Sequence, residues 1–396
     1  MTTPTPREVP VSLHGAVLDQ DGPWRRSAPR PLTSRQEFYE ERFDARTLFY
    51  DVFRVRNHLE FIGPPLLDLE GGLKPLELAH GRTDYAGRFR STAKNRLHRH
   101  RVSPVPRSVG SLSLRCPLGT FQLEIGENLS SSFTGRRVLV TQSRNNPLEW
   151  IARWVDHHIT VQGIDAVVLY DNGSTRYTPD ELREVLCGCH GLEVFSVIEW
   201  PYPWGPTGGP DAVWDSDYGQ HGAWEHAWRR LGLAAATLTF GDVDELIVGP
   251  PPSVTDRALS AKDGISSYRR RAVLNVPTAP TSGLSRIRDY VDYRLFAPAA
   301  PLLSPKYTVV PGRLRERDQL MVHRVAGRRS EDEGDVLARH FDGIRIEWRD
   351  GDQHPVLDLL PEELEGTELA VDEELVSDLA RLDPHALEPH AHNLDT

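Results

Sequence analysis

The sequence predicts an α/β protein: a Rossmann-like, mostly parallel sheet with crossover helices, plus a β-rich N-terminal accessory domain. Three observations lead there. From Arg136 onward, β-branched runs alternate with stretches of helical period, the pattern of strand–helix–strand crossovers. Before Arg136, short apolar runs are separated by Gly and Pro turns, as in successive hairpins. Three polar clusters, residues 143–146, 171–174 and 242–245, each directly follow a predicted strand. Open α/β sheets hold their ligands at that edge.

Residues 1–35 are rich in Pro, Arg and Ser without a sustained period, and are expected to form a flexible arm. Residues 36–135 hold the runs TLFYDVFRV, LEFIGPPLLDL, SLSLRC and TFQLEI, expected as the β-rich domain. The α/β domain is expected over 136–350, with RRVLVTQS as its first strand. RNNPLEWIARWVDHHITVQG reads as a helix: Asn146 is the expected N-cap, Pro147 lies in the first turn and Glu149 stands at the third position. Leu148, Ile151, Val155 and Ile159 recur at helical spacing, and Gly163 supplies the stop. DAVVLY is the next strand, DNGS its turn, and Thr178-Pro179 with Glu181 opens a second helix. Strand LEVFSVIEW leads into a long Pro/Gly/Trp loop, where Trp200, Tyr202, Trp204, Trp214 and Tyr218 are candidates for stacking on a sugar face. The helical Trp150, Trp154, Trp224 and Trp228 read as core. QHGAWEHAWRRLG is a helix, and AATLTF is the strand that delivers GDVDEL. Residues 351–396 form an acidic C-terminal tail, with twelve Asp or Glu against one Arg from Pro355 onward, expected as short exposed helices or a partly disordered end.

Hydrophobic and charged fractions of 39% and 26% are those of an ordinary globular protein. A net charge of -11 argues against nucleic-acid binding. The segment Gly81–Arg107 is the exception, with eight Lys or Arg against one Asp, and reads as a solvated face or a surface for an anionic acceptor. No apolar run approaches the roughly 20 residues that span a bilayer. The opening MTTPTPREVP lacks the apolar stretch of a secretory signal. The three cysteines, Cys116, Cys187 and Cys189, are too few for a disulfide framework or a four-ligand zinc site. The expectation is a cytoplasmic protein with no transmembrane segment.

The chemistry concentrates in TFGDVDELIVG. In an extended chain Asp242 and Asp244 point to one side, about 6.6 Å apart. Both can then lean on one hard cation while Val243 faces the core. Two carboxylates plus a ligand's phosphates is a common way to hold Mg²⁺ or Mn²⁺. A lone D-x-D is frequent by chance and reads as a solvated acidic turn; its place after a buried strand favours metal. The loop is no EF-hand, because the later acid and Gly positions are not filled. GPTGGP lacks the Gly-Lys-Ser/Thr of a phosphate-binding loop.

SRNNPLEWIARWVDHHITVQGIDAVVLYDNGS, then DYGQHGAW and LTFGDVDELI, resemble in order the GT-A-fold glycosyltransferases of the family 92-like and family 2-like groups. SPKYTVVPG resembles the later Lys-containing strand, MVHRVAG the His-bearing segment, and ARHFDGIRIEW a following helix. The resemblance covers about Arg136 to Trp348. It departs at Asn145-Asn146, where relatives often carry Asn-Glu, and at Leu246, where they carry Phe.

The resemblance implies transfer of a sugar from a nucleotide-diphosphate donor (UDP- or GDP-sugar) to a glycan, lipid-linked or small-molecule hydroxyl acceptor. Asp242 and Asp244 would hold Mn²⁺ or Mg²⁺, with His323 as third ligand and His340 as runner-up. Asp171 and Asn172 would meet the base, Ser143, Arg144 and Asn146 would line the same pocket, and Gln220 and Lys306 would touch the donor. Glu245 and Asp217 are the candidate general bases, with Asp215 beside them. Two other classes stay open: a nucleotidyltransferase, and a non-catalytic glycan-binding protein on the same scaffold. Bland readings stand beside several roles: an exposed Lys306, a Gln220 that merely caps its helix, a surface or core His323.

Overall fold

The computed structural model describes residues 5–209, 211–277, 287–330, 332–346, 358–359, 364, 366 and 368–382. Its centre is a nine-stranded sheet: β1 (Arg7–Glu8), β2 (Arg137–Ser143), β3 (Ala166–Asp171), β4 (Val194–Glu199), β5 (Thr237–Phe240), β6 (Glu245–Val248), β7 (Ile265–Val273), β8 (Leu303–Val309) and β9 (Asp332–Phe341). The order is β1-β4-β3-β2-β5-β8-β7-β9-β6. The first five strands run parallel. β8 lies antiparallel to both neighbours, β9 parallel to β7, and β6 antiparallel to β9. The protein is therefore mixed α/β with a mostly parallel main sheet. ARHF, expected in a helix, is the end of β9 instead.

Five helices matter here: α1 (Leu148–Gln162), α2 (Pro179–Gly188), α3 (Tyr218–His226), α4 (Val254–Ser260) and α5 (Glu373–Leu382). Thr178 and Glu181 form the expected capping box of α2. Helix α1 starts after Pro147, which occupies the cap position with no side-chain cap bond. Asn146 does not cap, because its amide donates to Ser143 Oγ at 2.9 Å. Gly163 ends α1 at φ +66°, in the left-handed region.

On one face of the sheet, Trp150, Trp154, Leu182, Leu186, Leu375 and Leu379 pack over Leu139, Val167 and Leu169. On the other, Val138, Val140 and Tyr170 meet Trp224 from α3 and Trp228 from the π-helical turn Ala227–Leu231 that continues it, and also Tyr50, Phe53, Ile62 and Leu97. The apolar core thus runs without a break across residue 135. The N-terminal region adds two four-stranded antiparallel sheets, one of them ordered Asp51–Val55, His58–Gly63, Leu97–Val102, Phe89–Lys94. Phe49, Phe61, Leu78 and Leu114 fill the space enclosed by this region. Gly222 permits the close approach of α3, since a Cβ there would stand 2.4 Å from the Tyr50 ring.

Buried polar groups lock this contact. Asp51 pairs with Arg230 at 2.6 Å and accepts from His226 Nε2 at 2.9 Å, and Tyr170 donates its hydroxyl to His226 Nδ1 at 2.7 Å. Glu60 takes Arg101 at 2.6 Å and Arg99 at 3.5 Å, and Arg99 reaches Glu225 of α3 at 3.0 Å.

Two expectations change. Residues 5–35 are not a loose arm: β1 extends the main sheet, Arg26 is buried donating to the carbonyls of Pro65, Asp44 and Thr47, and Arg30 pairs with Asp215 at 2.7 Å. Arginine anchors fix this segment together with Val9, Ala16 and Leu18, which are buried in the core. The acidic tail is not merely exposed either. Leu375 and Leu379 of α5 are buried, and Asp372 pairs with Arg339 of β9 at 2.7 Å. Residues 347–357 and 383–396 lie outside the described residues. No helix among the described residues is long and apolar enough to cross a membrane.

Candidate functional site

The carboxyl ends of β2, β3 and β5 open into a cavity of about 590 Å³. Of the residues singled out from the sequence, Ser143, Arg144, Asn146, Asn172, Trp204, Trp214, Asp217, Gln220, Asp242, Asp244, His323 and His340 line it. Asp171, Glu245 and Lys306 do not.

The acidic segment is a turn rather than an extended chain. Strand β5 ends at Phe240 and β6 begins at Glu245, whose N–H donates to the Asp242 carbonyl at 3.0 Å. The alternation expected for a strand therefore fails, and the three carboxylates take different surroundings. Asp242 Oδ2 accepts from Lys306 Nζ at 2.6 Å and Oδ1 from Gln220 Nε2 at 3.1 Å, so both oxygens are engaged. Burial opposes its charge, yet Lys306 holds the Asp242 carboxyl down at about 2. Glu245 is buried against Arg270 at 2.7 Å and Lys306 at 3.4 Å. Lys306 is a buried counter-ion rather than an exposed lysine; burial works against its charge, but Asp242 and Glu245 raise its pKa above the ordinary value.

Asp244 is the carboxylate left over. Among the described residues its Oδ1 is buried without a hydrogen-bond partner, and so is Nδ1 of His340, 3.7 Å away. Burial, with Asp242 and Glu245 adding to it and His340 opposing, pushes the Asp244 carboxyl up to about 6. Two ligands of one ion with bonds of about 2.1 Å stand roughly 3.0 to 4.2 Å apart. The Asp244–His340 gap is too long for a hydrogen bond and within that range. A carboxylate oxygen with an imidazole nitrogen suits Mn²⁺. Among the described residues, Asp244, Glu245 and His340 are the one such group with ligand atoms this close together. Neither Asp242 nor His323 belongs to it. His323 sits at the tip of the hairpin Gln319–Met321/Arg324–Ala326, its Nδ1 donating to the Pro305 carbonyl at 3.1 Å. Burial, then Lys306 and Arg270, hold its ring down to about 4, so it faces the cavity neutral.

The loop after β2 is built by Asn145, which adopts φ +57° and is fully buried. Its side-chain oxygen accepts from the N–H of Thr175 at 2.7 Å and of Arg176 at 3.2 Å, tying the β2 and β3 loops together. Asn172 donates its amide to the carbonyls of Trp200 at 2.8 Å and Tyr202 at 2.7 Å, so toward a ligand it can act only as an acceptor. Asp171 accepts from Ser174 instead of opening to the cavity, and burial raises its carboxyl above the usual range. Arg144 is exposed at the mouth.

Sequence reasoning missed Arg96. It stands at the tip of the hairpin Phe89–Lys94/Leu97–Val102 and holds Asp217 through Nη1, at 2.6 and 2.7 Å to the two oxygens. The tip is pinned by Asn95 and Gln319, which exchange hydrogen bonds of 3.0 and 2.7 Å. Burial would raise the Asp217 carboxyl, but His221 and Arg96 bring it below the ordinary value. Both candidate bases are therefore held by guanidinium groups. Of the loop aromatics, Trp200, Tyr202 and Tyr218 are core. Trp204 and Trp214 line the cavity with rings 6.2 Å apart at 81°. No protein-family model matches the chain, and no curated protein does.

Proposed function

We propose that the protein is a metal-dependent glycosyltransferase of GT-A-like fold, moving a sugar from a UDP- or GDP-sugar to a hydroxyl acceptor. One observation carries this reading: a buried, unpartnered carboxylate oxygen and imidazole nitrogen, Asp244 Oδ1 and His340 Nδ1, face each other at 3.7 Å on the wall of the cavity at the open strand ends. Asp244 and His340 would hold Mn²⁺ or Mg²⁺. The bound ion would supply positive charge to the diphosphate as the glycosidic bond breaks. Asp242, held rigid by Lys306 and Gln220, keeps the turn in place and accepts hydrogen bonds from the nucleotide. Asn172 accepts from the base edge. Trp204 and Trp214 offer flat faces to a sugar and exclude water around it. Of the two candidate bases, Asp217 lines the cavity and Glu245 does not, which supports Asp217 as the group that takes the acceptor's proton, with Arg96 released to substrate.

The test is incubation with a panel of nucleotide sugars, with Mn²⁺ and with chelator. Free sugar and nucleoside diphosphate released only with metal support the reading. Formation of a nucleotide sugar from a nucleoside triphosphate and a sugar 1-phosphate, with release of pyrophosphate, in a parallel incubation instead identifies a nucleotidyltransferase. Thermal stabilisation by a donor without turnover identifies a binding protein.

A further inference from the structure

A second cleft, of about 540 Å³, lies on the N-terminal β region and shares no lining residue with the large cavity. Three arginines line it, Arg56, Arg88 and Arg107, and among the described residues no carboxylate does. All three are exposed. Like charges gathered in one concavity repel one another unless an anion joins them.

The walls are built to hold position. Arg88 donates from Nη1 to the Pro104 carbonyl at 2.8 Å and lies over the Tyr85 ring at 5.3 Å. The floor at Val105 is tied to the Asn57 carbonyl through its N–H at 2.8 Å, and its own carbonyl accepts from the buried Arg54 at 3.1 Å. Arg56 sits in the two-residue turn between Asp51–Val55 and His58–Gly63 at φ +53°. Glycine adopts that conformation freely, whereas arginine does so under backbone strain. The chain places a guanidinium there nonetheless.

We propose that this cleft is a binding site for a phosphate group, taken by Arg56 and Arg107 with Arg88 as the fixed third donor. Guanidinium forks match phosphate oxygens in pairs, and three of them suit a dianionic group better than a single carboxylate. The proposal does not depend on the reading of the large cavity.

Titration calorimetry with inorganic pyrophosphate, at low salt and with chelator present, tests it. Wild-type protein is expected to bind, with affinity falling as salt rises. The double variant Arg56→Gly/Arg107→Ser is expected to bind at least about tenfold more weakly, the worth of one charge-assisted contact. Because glycine relieves the turn, this variant should melt no lower than wild type, and its metal-dependent sugar release should be unchanged. Absence of binding by wild type, or equal affinity in the double variant, overturns the site. Sedimentation with phosphatidylcholine vesicles, with and without phosphatidylserine, identifies the source. Arginine-dependent capture by the anionic vesicles makes it a lipid headgroup, and binding of pyrophosphate alone makes it a soluble phosphate.

Discussion

Asp244 and Glu245 are adjacent carboxylates with opposite fates. Glu245 is neutralised by Arg270 and Lys306, and Asp244 is left facing His340. Replacing Asp244 by Ala should abolish metal-dependent sugar release while leaving the metal-free melting temperature within a few degrees, because one of several repelling charges is removed from a half-buried turn. Full turnover in that variant contradicts the metal role. Glu60 makes a different prediction. Burial opposes its charge, but His58, Arg99 and Arg101 lower its pKa to about 2. A depressed carboxyl stabilises the fold above its unfolded pKa, and that contribution is lost as pH falls from about 4.5 toward 2. Glu60→Gln should cost on the order of 3 kcal/mol at neutral pH and flatten the acid limb of a stability-against-pH curve. The sequence pointed to the acidic cluster as a site, but not to how its members divide. The division depends on Lys306, Arg270 and His340, which arrive from three other strands; the family resemblance pointed to Lys306 and His340, but nothing local pairs either with a particular carboxylate, and Arg270 was not singled out.

At the scale of elements, helix α3 makes the sharpest prediction. Gly→Ala inside a helix ordinarily stabilises by up to about 1 kcal/mol. At Gly222 the added methyl would meet the fully buried Tyr50 ring at 2.4 Å, so the sign should reverse. A loss of roughly 1–3 kcal/mol in denaturant unfolding is expected. Elements with local punctuation were legible: α2 with its Thr178–Glu181 box, α1 with its Gly163 stop, and the runs of β2, β3 and β4. Less was legible where tertiary contacts decide. Asn146 turns to Ser143 instead of capping α1, and GDVDEL bends where alternation predicts a straight strand. The hairpin bearing Arg96 reads from the sequence only as a basic stretch, because its destination beside Asp217 is set by packing far along the chain.

For the whole molecule, the expected boundary near residue 135 divides a composition and not a core. Tyr50, Phe53, Ile62 and Leu97 belong to the same apolar cluster as Val138, Val140 and Trp224. The fully buried set of Asp51, His226, Arg230 and Tyr170 crosses the boundary too. A fragment comprising residues 136–396 should therefore lose fixed tertiary structure, read as collapse of near-ultraviolet circular dichroism with far-ultraviolet signal retained. A cooperative melt of that fragment like that of the full chain contradicts the shared core. The sheet order has a further consequence for the chain's biosynthesis. Strand β6, the run ELIV that follows the acidic turn, pairs among the described residues only with β9, whose partner residues are translated roughly ninety residues later. At about 5–20 residues per second, the ribosome leaves that greasy ribbon without its neighbour for roughly 5–18 s. During that interval the nascent polypeptide is at its most vulnerable to sticking to others, and the holdase chaperones of its cell have a window in which to cover it.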